Sequence, residues 1–199
     1  MTNGEDKWEQ FLEPEFLKDR LISAALFLIA FEFLKESIIG RAKQAYAIGF
    51  DESGLTISSK YTSEVLSLDK NPINASLKWL EIFEVIDEDD YQKWERIRKI
   101  RNTLAHELLS LVTTDAEMLH IEGFHEAIEL LDKIEKWWIV NFEIPSNPDF
   151  DNEVVNTDGI VCGPVISMRM MIEVLSGNTE LLDQYRAARK QKYKAEAGQ

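Results

Sequence analysis

Cysteine occurs only once in the 199 residues, at position 162, so no disulfide can form within the chain. A reducing cytoplasm is the expected location. Long hydrophobic runs are also missing. The longest, Leu21 to Phe31, contains Ser23 and stops at Glu32, short of the roughly twenty apolar residues that a membrane span needs. Met1 to Gln10 is polar and acidic and carries no apolar signal-peptide core. Positive charge is scarce. Against 36 Asp and Glu there are 22 Lys and Arg, a formal net charge of −14. Such an excess favours solubility and disfavours non-specific attraction to nucleic acid, so any RNA contact has to use a local basic patch. Strand-like alternation is weak everywhere, and no repeat or low-complexity tract is evident.

What remains is helical periodicity. Residues 1–14 read as an arm, residues 15–141 as a helical bundle, and residues 142–199 as a loop followed by C-terminal helices packed on the same domain. The first long helix is expected from about Glu15 to Gly40, with the glycine as its stop and Arg41 to Ile48 continuing after a break. Its middle is apolar on nearly all sides, which places it centrally. Gly49 to Ser59 carries turn residues and reads as a loop. Tyr61 to Leu68 suits a short helix, Asn71-Pro72 a turn, and Asn74 to Ile86 a further helix. Asp87 to Asp90 supplies an acidic cap for a helix from about Tyr91 to Val112. Thr114-Asp115-Ala116-Glu117 matches a capping box opening a helix to about Asn141, with a kink possible at Gly123. Ile144 to Pro164 reads as a long loop. Val165 to Ser176 and Thr179 to Ala195 read as two helices divided by Gly177-Asn178.

The helix beginning near Tyr91 carries the strongest chemical signal. Ile97, Ile100, Leu104, Leu108 and Leu111 form one apolar stripe. Glu95, Arg98, Asn102 and His106 fall close to one line on the other side. At about 100° per residue, Asn102 and His106 lie about 40° apart, whereas Arg101 and His106 lie about 140° apart. Convergence of the last two therefore needs the long arginine arm, a bent helix end or a two-fold dimer. Lys93, Arg96, Arg98, Lys99 and Arg101 face one acid, Glu95, within the segment, a local reversal of sign in an acidic chain. Arginine grips phosphate with planar, paired donors. Histidine exchanges protons near neutral pH. Asparagine orients a hydroxyl or a phosphate oxygen. Such a set suits cleavage of an RNA phosphodiester by its own 2′-hydroxyl, with His106 moving protons, Arg101 steadying the added negative charge and Asn102 positioning. Lys93, Arg96, Arg98 and Lys99 are the candidate RNA contacts. The simpler alternative is a solvated or ion-paired helix face.

The string Arg101-Asn102-Thr103-Leu104-Ala105-His106 resembles the signature of the HEPN superfamily, an arginine and a histidine separated by four to six residues. A polar residue often follows the arginine, here Asn102. The long apolar first helix, and a later helical pair whose second member carries the motif, are also similar to that superfamily over about Leu17 to Val140. The resemblance implies an all-α, HEPN-like bundle with a C-terminal helical extension. It implies a homodimer whose two motifs share a cleft, and metal-independent endoribonuclease activity needing no cofactor. Toxin–antitoxin and other defence settings are implied too, with an antitoxin or regulatory protein as partner. Arg101 and His106 match the catalytic pair and Asn102 the accessory position. One branch carries a tyrosine two residues after the histidine. Leu108 stands there in this chain, so control through that tyrosine is not implied. Ser76 to His106, with Tyr91 and Ile100-Arg101-Asn102, is similar more loosely to the mannitol operon repressor family, which would imply a non-catalytic regulatory or protein-interaction module.

Other candidates read as structural. His120 and His125 are five apart, so their imidazoles diverge on a helix, and no metal site is expected. Cys162 has no base near it in sequence and suits packing. Gly159 and Gly163 lack the Gly-Lys-Ser/Thr of a phosphate loop. Trp137-Trp138 suits packing better than base stacking. Met168, Met170 and Met171 suit a core better than a partner face. Glu32 and Glu36 are either the polar stripe of the first helix or a brace for Arg98 or Arg101. The basic run Arg186, Arg189, Lys190, Lys192 and Lys194 complements the negative end of the last helix.

Overall fold

The computed structural model describes residues 13–52, 54–113, 117–150 and 156–197; the side chains of residues 105–122, 158 and 192–197 are outside that description. The fold is all-α with one small two-stranded sheet. The chain divides into two compact units, Met1–Cys162 and Gly163–Gln199. No described helix is long and apolar enough to cross a membrane.

The first unit is a helical bundle built on α1, Pro14–Gln44. Proline at its first position fits a helix start, where no N–H bond is lost. α1 packs on α2 (Pro72–Ile82), α3 (Glu88–Thr113) and α4 (Glu117–Trp138), and α3 packs on α4. The core lies where these helices meet: Phe27, Leu34 and Ile38 of α1, Leu77 and Leu80 of α2, Trp94, Ile97 and Leu104 of α3, and Leu130, Leu131 and Ile134 of α4 are buried. The central position expected for the first helix is therefore observed. Its burial is not all-round, because Leu21 is 46 % and Ile29 36 % exposed.

Gly40 does not end α1. Arg41 and Ala42 beyond it are fixed by tertiary contacts, Ala42 in the core and Arg41 on Glu135 of α4, and these outweigh the low helix propensity of glycine. Nor does the helix continue to Ile48. β1 (Ala47–Asp51) and β2 (Gly54–Ile57) form an antiparallel hairpin where a loop was expected, with Phe50 opposite Leu55 and an irregularity between Ala47 and Gly49. Tyr61–Val65 and Leu66–Leu68 are short helical turns, as expected.

α2 begins earlier than Asn74. The Asn71 side chain accepts from the backbone N–H groups of Ile73 (2.9 Å) and Asn74 (3.4 Å), capping the helix with Pro72 as its first residue. It also stops before Ile86. The Val85 N–H reaches back to the Leu80 carbonyl and the Glu84 N–H to that of Glu81, the closing pair of a Schellman motif. Glu84 adopts φ 56° there, a conformation that glycine usually supplies. In the second unit the same closure ends α5 (Gly163–Leu175) with Gly177 at φ 79°, before α6 (Glu180–Ala197).

The capping box expected at Thr114 to Glu117 falls largely outside the described residues. Gly123, expected to kink, lies within an unbroken α4. Its role is close approach. A Cβ at this position would overlap Ile100 Cδ1 of α3 and lie 3.1 Å from Phe27 Cε2 of α1. Gly123→Ala should therefore forfeit the gain of about 1 kcal/mol that alanine brings at an exposed helical site and leave a net loss of up to about 2 kcal/mol, as Ile100 has to shift and Phe27 is crowded. Urea denaturation reads the difference, and an unchanged or raised midpoint contradicts the close three-helix contact.

Candidate functional site

α3 starts on reciprocal carboxylate caps. Asp87 Oδ1 accepts the Asp90 N–H (3.0 Å), and Asp90 Oδ2 accepts the Asp87 N–H (3.3 Å). Asp90 is itself buried and is paired with Lys133 of α4 and with Lys93 (3.4 Å). Lys133 also reaches Asp87 at 3.3 Å. The backbone N–H of Asp90 is the main cause holding the Asp87 carboxyl below its ordinary range, with Lys133 adding to it and burial opposing it. Burial lowers the Lys133 ammonium, but the hydrogen bonds and charges of Asp90 and Asp87 outweigh it and leave the group raised.

Further along, the basic residues of α3 meet acids of α4. Lys93 lies 3.6 Å from Glu129. Arg96 grips Glu126 in a fork, with Nη2 to Oε1 at 2.6 Å and Nε to Oε1 at 2.9 Å. Arg98 pairs with Glu95 on its own helix at 2.5 Å. The expected basic patch is therefore largely neutralised, three of its five members being held by carboxylates. Lys99 is exposed and has no ion-pair partner among the described residues.

Arg101 behaves differently from its neighbours. It is half-buried, and its guanidinium lies 5.5 Å from the ring centroid of Phe31 on α1. Phe31 in turn stacks on Trp94 of α3, centroids 5.6 Å apart and planes 17° apart. Arg101 Nη1 donates to Asn102 Oδ1 at 3.4 Å, and Asn102 is exposed. No carboxylate pairs with Arg101 among the described residues. The structure thus brings Arg101 and Asn102 together at the solvent edge of α3. His106 lies on the same helix, one turn beyond Asn102, with its side chain outside the description.

Glu32 pairs with Lys35 at 2.6 Å, and neither Glu32 nor Glu36 is ion-paired with Arg98 or Arg101. His125 is exposed and edges onto Phe124, and among the described residues no group of three His, Cys, Asp or Glu is placed to hold a metal. Trp138 packs, as expected, stacked on Phe142 at 4.2 Å, and Trp137 edges onto Trp79. Cys162 is buried, with its thiol donating to Asp132 Oδ1 at 3.3 Å.

Sequence reasoning missed one polar cluster. Glu135 of α4 is buried and accepts from Ser37 Oγ (2.6 Å), Arg41 Nε (3.0 Å) and Arg41 Nη2 (2.6 Å), while the guanidinium lies over Trp138. Ser37 and Arg41 are one turn apart on α1. The expected break at Gly40 separated them, which hid the signal.

Comparison with family models, curated proteins and solved structures gave no match to this chain. The residues themselves define an all-α bundle with a small polar edge at Arg101 and Asn102.

The lowered Asp87 pKa has a sign that can be measured. A carboxyl depressed in the folded state stabilises above its unfolded value of 3.8, and the contribution disappears as pH falls through the lower folded value. Asp87→Asn should therefore lose less stability than the parent between pH 6 and pH 3 in urea titrations. Parallel pH profiles for the two proteins would contradict the cap.

Proposed function

We propose that the chain is a metal-independent endoribonuclease of HEPN type that acts as a homodimer on RNA, in a toxin or other defence role under an antitoxin or regulatory partner. The observation that carries this reading is the isolation of Arg101. On a helix whose other cations are mostly held by carboxylates, this guanidinium has none among the described residues and sits beside exposed Asn102. An arginine kept out of ion pairs retains its N–H groups for a phosphate.

In the proposed reaction the 2′-oxygen attacks the adjacent phosphorus and the bond from phosphorus to the 5′-oxygen breaks. His106 accepts the 2′-hydroxyl proton, and a proton is returned to the leaving 5′-oxygen. Arg101 meets the extra charge on the phosphoryl oxygens, and Asn102 orients the nucleotide. The products are a 2′,3′-cyclic phosphate and a 5′-hydroxyl.

A second reading has its own support. The pairing of Lys93, Arg96 and Arg98 removes most of the charge that would attract RNA. That favours a non-catalytic helical module, HEPN-like or mannitol-repressor-like, in which the same edge makes a protein contact.

Purified protein incubated with single-stranded and structured RNA in chelator separates the two. Cleavage with cyclic phosphate ends is expected, falling at least about a hundredfold in His106→Ala and Arg101→Ala, the usual scale of losing a proton-transfer or charge-stabilising group. Absence of cleavage of every RNA class, or full activity in either folded variant, would overturn the ribonuclease reading.

A further inference from the structure

The ring of Phe31 is unexpected in its placement. It is an aromatic residue of the central helix, only 5 % exposed, yet its ring centroid lies 5.5 Å from a cationic head of α3 that no described carboxylate holds. The sequence gives no hint of the pair, since the two residues are seventy apart. On α3, Trp94 and Arg101 are seven residues apart and so project from one side of the helix, the side facing α1. Trp94 stacks with Phe31, which fixes the plane of the ring, and the guanidinium of Arg101 lies against that ring.

We infer that Phe31 is a positioning residue: its ring seats the Arg101 guanidinium so that its outward N–H edge stays open to a phosphodiester of single-stranded RNA. The inference rests on the proposed function for its ligand and goes beyond it in assigning a residue outside the motif. Its physical basis is the attraction of a guanidinium to an aromatic face, which holds the planar group without consuming its in-plane hydrogen-bond donors. A carboxylate in the same place would hold it more firmly but would occupy the donors that a phosphate needs. Asn102 Oδ1 takes only one of them, at the long distance of 3.4 Å. The neighbouring Arg96 shows the contrast, with its fork closed on Glu126.

The seat also bears on the angular problem of the motif. It draws the Arg101 head toward α1, so this side chain is not free to swing around α3. A seated head has fewer orientations to lose when phosphate binds, which is where the ring would contribute.

The test uses the full chain and a 2′-O-methylated single-stranded oligoribonucleotide, which can bind but lacks the attacking hydroxyl. Nuclear magnetic resonance follows the Arg101 Nε–H and Cδ–H signals, assigned by loss in Arg101→Lys. Ring-current shifts at these signals are expected in the parent and in Phe31→Tyr, and should vanish in Phe31→Leu. Affinity for the oligonucleotide should fall about five- to tenfold in Phe31→Leu and in Arg101→Lys, with Phe31→Tyr near the parent. Arg101→Lys keeps the charge and leaves the core untouched, so it remains informative if Phe31→Leu does not fold. Unshifted Arg101 signals in the parent, or parental affinity in Arg101→Lys or in folded Phe31→Leu, would overturn the seat. Seat-dependent binding combined with a parent that cuts no RNA would uphold the seat and sink the ribonuclease reading instead.

Discussion

A ladder of opposite charges between α3 and α4 is the constraint on which the rest of the first unit depends. Asp90 meets Lys133, Lys93 meets Glu129, and Arg96 meets Glu126. Each step up α3 is a step down α4, as antiparallel helices require. The next rung is not ionic: Gly123 comes against Ile100, and the absent side chain lets the helices close together there with Phe27 of α1. The more exposed pairs, Lys93–Glu129 and Arg96–Glu126, add little stability individually. Their effect is on register, because sliding α4 by a turn would set Asp90 against Glu129 in one direction or Lys93 against Lys133 in the other, and would drive Gly123 away from Ile100.

The ladder also decides which cations remain available. In a chain with net charge −14, acids outnumber bases, and on α3 Lys93, Arg96 and Arg98 each find a carboxylate. The cations of α3 that do not are informative. Lys99 and Arg101 stand just past the ionic rungs, at the level where the inter-helix contact turns apolar. Arg101 is then held by an aromatic ring instead of a carboxylate. The apolar rung and the open guanidinium are thus two sides of one local change in α3–α4 packing.

Much of the bundle could be read directly from residue spacing. The apolar stripe of α3 is buried at Ile97 and Leu104, the acidic residues before it do cap it, and α1 does occupy the centre. The errors share a cause. Local propensity alone stops or kinks a helix at Gly40 and Gly123, whereas each is set by a tertiary neighbour, Glu135 through Arg41 in one case and Ile100 in the other. The hairpin at Ala47 to Ile57 was hidden for another reason. Period-two patterning arises when one face of a strand is buried, and here Ile48 and Phe50 are 70 % and 81 % exposed. Of the candidate site, the residue types and their order were legible. The neutralisation of Lys93 and Arg96 was not, because their partners lie about thirty residues away and depend on the helix register. The ring beneath Arg101 depends on the same packing.

The sharpest measurement is the salt dependence of RNA binding, made with the uncleavable 2′-O-methylated strand. The logarithm of affinity falls with the logarithm of salt by about 0.7 per phosphate neutralised on a single strand. If only Lys99 and Arg101 of each protomer in a dimer are available, about four phosphates are met and a slope of about −3 is expected. A slope of about −7, which requires all five basic residues of both α3 helices, would contradict the ladder, and the absence of measurable binding would contradict RNA as the ligand.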